Sequence, residues 1–208
     1  MNKQELINFE EDIKNLFLNA KIKAPIHLSR GNEDALINIF KEIKPKDWVF
    51  STHRNHYHAL LHGIDKDWLR SQILVGRSMH INNQKHRFMT SSMVSGCLPI
   101  AIGVAMAIKR KRLKRHVWCL VGDMAAETGA FYECTKYAKN FNLPINFVIE
   151  DNQFSTNTPT NRVWGIKKNP LNRGEIIVLE HWGKGEILYY FYQRGFPHIN
   201  VGKFVIFK

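Results

Sequence analysis

Residues 121 to 152, VGDMAAETGAFYECTKYAKNFNLPINFVIEDN, decide the fold. The apolar run Val117-Trp118-Cys119-Leu120-Val121 delivers Gly122-Asp123 to its end. A helical stretch follows from Ala126 to Asn140, with Phe131, Cys134, Tyr137 and Ala138 roughly on one face. A second apolar run, Ile145-Asn146-Phe147-Val148-Ile149, ends at Glu150-Asp151-Asn152. This pattern reads as strand, helix, strand. Parallel strands joined by a crossover helix end on the same edge of their sheet. Asp123 and Asn152, remote along the chain, are therefore expected to be neighbours. An acid and an amide on one edge, beside a helix N-terminus, suit a small hard cation that holds a diphosphate.

Outside that unit the helical spacing of Leu6, Ile7, Phe9, Ile13, Leu16 and Phe17 predicts a helix over residues 3–19. Asn32 is the expected N-cap of a second helix, with Leu36, Ile37, Ile39, Phe40 and Ile43 on its buried face. Trp48-Val49-Phe50 reads as a short strand, and helices are expected at about 55–62 and 66–74. Residues 75–92 lose periodicity and read as a loop. Residues 98–111 form a helix rich in small side chains, Ala101, Gly103, Ala105 and Ala107, which allow close packing against a sheet or a partner. Beyond Pro159, strands are expected at 176–179, 187–192 and 204–207. The fold class is α/β, a mostly parallel sheet with helices on both faces. The chain reads as one domain over residues 1–208, with 166–208 as its divergent C-terminal segment.

The chain has 208 residues, enough for a sizeable core. Its hydrophobic fraction of 44% argues against a disordered chain. No apolar stretch is long enough for a membrane span, and the acids throughout MNKQELINFEEDIKNLF leave no apolar leader core. Cys97, Cys119 and Cys134 have no metal-ligand spacing, and an odd count within apolar or helical contexts points to free thiols in a reducing, cytoplasmic compartment. The net charge is +12. Half of that excess lies in Lys109-Arg110-Lys111-Arg112-Leu113-Lys114-Arg115-His116. Such a run is either a patch for an acidic partner or a solvated helix end, where cations are favourable in any case. No aromatic interleaving or zinc spacing accompanies it, so nucleic-acid binding is not expected.

The Asp123–Asn152 unit resembles the GDG…NN thiamine-diphosphate motif. Other segments fall in the order found in the α subunit of the E1 component of 2-oxo acid dehydrogenases. His27-Leu28-Ser29-Arg30-Gly31-Asn32-Glu33 is similar to that family's HLSxGQE segment. Ser51-Thr52-His53-Arg54-Asn55-His56 is similar to its STHRxH or STYRxH segment, and Ser78-Met79-His80 to its GGSMH segment. Met93-Val94-Ser95-Gly96-Cys97-Leu98-Pro99 stands where the family has IVGAQxP, and Leu143-Pro144 also matches. The resemblance spans roughly residues 27–165. Later helices and a phosphorylation-type loop of full-length α subunits have no counterpart here.

The resemblance implies a thiamine-diphosphate-binding fold, with thiamine diphosphate and magnesium as cofactors. Asp123, the Asn152 amide and the Phe154 carbonyl are then the magnesium ligands. Arg54 contacts the diphosphate, with His53 beside it. Gly122, Met124 and Ala125 lie along the diphosphate, and Ser92 and Val94 face the aminopyrimidine. His56 and His80 are the expected active-site histidines. Three glycines of the family are replaced, by Ser92, Ser95 and Met124. Glycine lets backbone amides approach a phosphate unobstructed, so Met124 must point elsewhere or binding weakens. The run His53, His56, His58, His62 also invites a zinc reading, but no Cys or carboxylate nearby completes a tetrahedral set.

The glutamate that activates the cofactor belongs, in the family, to a β subunit or second domain. The implied assembly is a hetero-oligomer, a heterotetramer, with a β-like, pyrimidine-binding partner on a separate chain. Its implied reaction is decarboxylation of a 2-oxo acid with a lipoyl carrier protein as acceptor. A transketolase-like or acyloin-forming enzyme acting on a ketose is the alternative, as is a non-catalytic cofactor-binding relative.

Overall fold

The computed structural model describes residues 1–165, 171–203, 205 and 206. In chain order the elements are α1 (Lys3–Leu18), α2 (Glu33–Phe40), β1 (Trp48–Ser51), α3 (His56–Leu61), α4 (Lys66–Leu74), β2 (Phe88–Thr90), α5 (Cys97–Arg110), β3 (Val117–Gly122), α6 (Asp123–Ala126), α7 (Gly129–Asn140), β4 (Ile145–Asp151), β5 (Phe154–Ser155), β6 (Thr158–Pro159), α8 (Thr160–Trp164), β7 (Ile176–Trp182) and β8 (Gly185–Phe191). Six strands form one sheet in the order β2-β1-β3-β4-β8-β7. All neighbours are parallel except β7 and β8, which form an antiparallel hairpin at one edge.

Alternation along the strands divides the core between two faces, because successive side chains point to opposite sides. Val117, Cys119 and Val121 pack with Phe147 and Ile149 against Ala101 and Ala105 of α5 and Phe131 and Ala138 of α7. Trp118, Leu120, Val148 and Leu188 face the other layer, built from α1 to α4. Helices therefore cover both faces of a mostly parallel sheet, as the apolar runs predicted. The small residues of α5 split by position. Ala101 and Ala105 are fully buried, whereas Gly103 and Ala107 are exposed. All three cysteines are buried and unpaired, and no helix among the described residues is long and apolar enough to cross a membrane.

Four local expectations change. The segment 75–92 contains β2, which pairs Phe88, Met89 and Thr90 with Val49, Phe50 and Ser51 of β1. Three residues carry too little alternation to be read as a strand. The crossover helix is broken into α6 and α7, because Thr128 turns outward as N-cap and accepts the Phe131 amide. Asn32 does precede α2, but its side chain makes no cap bond. Its amide donates instead to Tyr190 at 3.3 Å and Glu150 at 3.5 Å in the interior. Of the terminal strand expected at 204–207, Phe204 and Phe207 lie outside the described residues, and Val205 and Ile206 belong to no strand.

Candidate functional site

The parallel register Gly122↔Glu150 brings the ends of β3 and β4 together at the carboxyl edge of the sheet. Asp123 and Asn152 leave that edge side by side, and both are buried. Asp123 Oδ1 accepts the Met124 amide at 3.0 Å, while Oδ2 is buried without a hydrogen-bond partner among the described residues. Asn152 Oδ1 accepts the Phe154 amide at 3.0 Å. Asp151 adds a second carboxylate, which accepts from the Tyr189 hydroxyl and, at 2.6 Å, from the Gln153 amide. Burial first, and then the neighbouring Asp151 carboxylate, push the Asp123 carboxyl up to about 8. An orphaned carboxylate oxygen beside a like charge and an amide oxygen fits a divalent cation, which would cancel the repulsion and complete the oxygen set.

Cationic and imidazole groups gather on the same edge. Arg54 follows β1 and lies beside His53, its Nη1 donating to His53 Nε2 at 3.2 Å. Its Nε is buried with no hydrogen-bond partner among the described residues. Arg194 follows β8 and stacks over the Phe154 ring at 4.2 Å, donating to the Thr156 carbonyl at 2.7 Å. Burial, and then Arg54, lower the proton affinity of both Arg194 and His198, so the two guanidiniums and this imidazole share one field.

His27, His53 and His198 bring ring nitrogens within 4.8 Å of one another. Burial pulls His27 down to about 4 and, with Arg54, His53 down to about 2. Both are therefore neutral near pH 7. A trio of imidazoles offers ligands for a transition metal, but the adjacent Arg54 charge opposes a cation there. Two guanidiniums and neutral N–H donors suit an anion instead.

The C-terminal segment reaches this edge by docking on residues 26–31. The Asn200 amide donates to the Ile26 carbonyl, the Gly195 amide to the Arg30 carbonyl, and His27 Nδ1 to the His198 carbonyl at 2.5 Å. Gly31 has a φ of 104°, and a Cβ there would collide with the Gln193 carbonyl. Arg194 and His198 were not legible as site residues. One signal was present: the strand expected at 187–192 ends on the shared edge if it lies parallel to β4, and Arg194 and His198 follow it.

The remaining expected residues divide. Ser92 and Val94 are exposed with Met93 on the loop before α5, and Ile100 is exposed in the first turn of α5. Ser95 adopts a φ of 64°, the left-handed backbone that glycine favours, and its hydroxyl bonds the Thr128 hydroxyl at 2.9 Å. Met124 and Ala125 lie in α6, and Met124 has no left-handed backbone. Gly122 has open space where a Cβ would stand. His80 is exposed on the loop after α4. His56 is fully buried, 2.9 Å from Ser78 Oγ and 3.5 Å from Glu10. His58 bridges Ser51 at 2.7 Å and Glu150 at 3.2 Å beneath the edge, and Glu150 also accepts from Tyr190. The histidines of the 53–62 run thus serve separate partners and do not share one metal.

Residues 1–175 match the dehydrogenase E1 component family. The chain belongs to that family. Over 165 residues it is 31% identical to the α subunit of acetoin:2,6-dichlorophenolindophenol oxidoreductase of Bacillus subtilis, covering 74% of this chain and 50% of the relative. It is 30% identical to the pyruvate dehydrogenase E1 component α subunit of Porphyra purpurea, covering 71% of this chain and 48% of the relative. The same subunit of Rickettsia prowazekii is 30% identical, over 76% and 51%. This E1-family chain spans about half the length of the curated relatives it matches.

Proposed function

We propose that this E1-family chain holds the diphosphate half of thiamine diphosphate through magnesium, as the α-like subunit of an enzyme that works on a bond next to a carbonyl. The observation that carries this reading is the buried Asp123 Oδ2, which lacks a hydrogen-bond partner among the described residues, beside Asp151 and Asn152 on an edge that also carries Arg54 and Arg194. Asp123, the Asn152 amide and the Phe154 carbonyl would ligate the ion. Arg54, Arg194 and His198 would take phosphate oxygens, with His53 and His27 as neutral donors or supports. When bound, the cofactor would stabilise negative charge at the substrate's carbonyl carbon as the adjacent C–C bond breaks.

The residues of this chain orient that cofactor and exclude water. Ser92, Val94 and the exposed Met93 and Ile100 face outward, which supports a second, β-like chain closing over the pyrimidine side in a hetero-oligomer. His80 is free to approach the reacting carbon. His56 acts through its neighbours, bracing the segment that carries Arg54. The relatives are named for pyruvate and for acetoin, which supports a 2-oxo acid or acyloin substrate. A lipoyl carrier is the acceptor in the first case. A ketose or a binding-only role remains the alternative. The three buried thiols support a reducing compartment, the cytoplasm.

Calorimetric titration of the chain assembled with its β-like partner tests the site. Thiamine diphosphate is expected to bind only with magnesium present, and Asp123→Ala is expected to abolish that binding. Unchanged affinity in the variant would remove the assignment.

A further inference from the structure

A cavity of about 1020 Å³ opens on the opposite edge of the sheet, at the amino-terminal ends of β3, β4 and β8. Trp118, Asn146, Leu188 and Val178 form its floor, and α2 contributes Ile39 as a wall. Besides Lys109, which donates to the Phe141 carbonyl, the rim carries six cations, Lys44, Lys46, Arg112, Lys114, Arg115 and Lys184. None of the six forms an ion pair among the described residues. Three acids also line the space, Glu42, Asp47 and Glu186. Two of them already accept hydrogen bonds from other residues of the lining. Asp47 accepts the backbone amides of His116 at 2.9 Å and Lys44 at 3.0 Å, and Glu186 accepts from Asn146 at 3.3 Å.

The basic run after α5 therefore does more than decorate a helix end. Lys109 and Arg110 lie in the last turn of α5, where cations are favourable. Arg112 reverses the chain with a φ of 51°, and Arg112, Lys114 and Arg115 then line the cavity. Cations crowded around one concave, partly apolar space repel each other until an anion enters. In the floor, the Trp118 indole N–H is buried with no acceptor among the described residues. The apolar floor asks for a flat or hydrophobic group, and the rim asks for several negative oxygens.

We infer that this cavity is a binding site for a phosphorylated small molecule, either a nucleotide or a phosphate chain. It is separate from the Asp123 edge and does not depend on the function proposed for that edge.

The test is calorimetric titration of the 208-residue chain carrying Arg54→Gln and Arg194→Ala, which removes the guanidiniums of the Asp123 edge, with inorganic tripolyphosphate and with ATP, in magnesium-free, low-salt buffer. Both probes are expected to bind with one-to-one stoichiometry. The double variant Arg112→Ala, Lys114→Ala removes two exposed side chains and is expected to weaken binding about tenfold or more, since charge-assisted contacts are lost. Lys66→Ala, which removes an exposed lysine of α4 outside both sites, is expected to leave binding unchanged. Tighter binding of ATP identifies a nucleotide whose base lies on the floor, and equal binding identifies a phosphate chain; both uphold the site. No heat with either probe, full affinity in the Arg112→Ala, Lys114→Ala variant, or loss in Lys66→Ala overturns it.

Discussion

The Asp151 carboxylate lies beside the Asp123 carboxylate where β3 and β4 end, and burial first, then this neighbour, push the Asp123 carboxyl up to about 8. Two acids are kept together there by the parallel register, against their mutual repulsion. The arrangement is unfavourable alone and favourable around a divalent ion.

Asp151→Asn should therefore stabilise the metal-free chain. Relief of about 1 kcal/mol corresponds to a rise in melting temperature of about 2–4 °C for a domain of this size. The stabilisation produced by added magnesium should shrink. Thermal scans with and without magnesium measure both effects, and a lower metal-free melting temperature in the variant would contradict the repulsion.

Arg194→Ala should reduce affinity for inorganic pyrophosphate about tenfold or more, the loss expected for one charge-assisted contact. Arg194 is partly exposed, and its recorded partners are Thr156, Asn157 and the Phe154 ring, so the melting temperature should change little. A titration that leaves affinity intact would exclude Arg194 from the anion site.

His27 supplies a pH dependence. Its folded pKa, about 4, lies below the ordinary value of 6.5 because it is buried. Between those values the unfolded chain binds the extra proton. Stability is therefore lost as pH falls from 6.5 towards 4, by up to about 1.4 kcal/mol per pH unit for one proton. His27→Asn removes this term. Urea unfolding at pH 7 and pH 5 should show a smaller acid loss in the variant than in the parent chain.

Tyr190→Phe tests the buried polar layer under the site. The Tyr190 hydroxyl is fully buried and donates to Glu150, and it accepts from Asn32 at 3.3 Å. Removing it leaves both partners less satisfied and should cost about 1–3 kcal/mol. A double-mutant cycle with Glu150→Gln should show coupling between the two positions, and additive losses would argue against the shared bond.

The central unit was legible because its physics is local. Val117 to Gly122 and Ile145 to Asp151 alternate between two apolar faces, and the intervening segment has helical spacing. Long periodic elements of this kind state their own type. β2 was not legible, because three residues pair with β1 only once the chain has folded back. The side-chain role of Asn32 was not legible either. Its local preference for capping loses to two buried acceptors, Glu150 and Tyr190, contributed from far along the chain.

Local pattern alone thus settled that Asp123 and Asn152 leave neighbouring strands on one edge, since parallel crossover geometry permits little else. Tertiary structure decided what surrounds them. Asp151 reaches Asp123 only through the register of β3 and β4, and Arg194 and His198 arrive only because β8 pairs with β4 and the following segment docks on Ile26 and Arg30. The docking contacts on Ile26 and Arg30 join residues separated by most of the chain. Their energies come from pairings that neither segment encodes by itself.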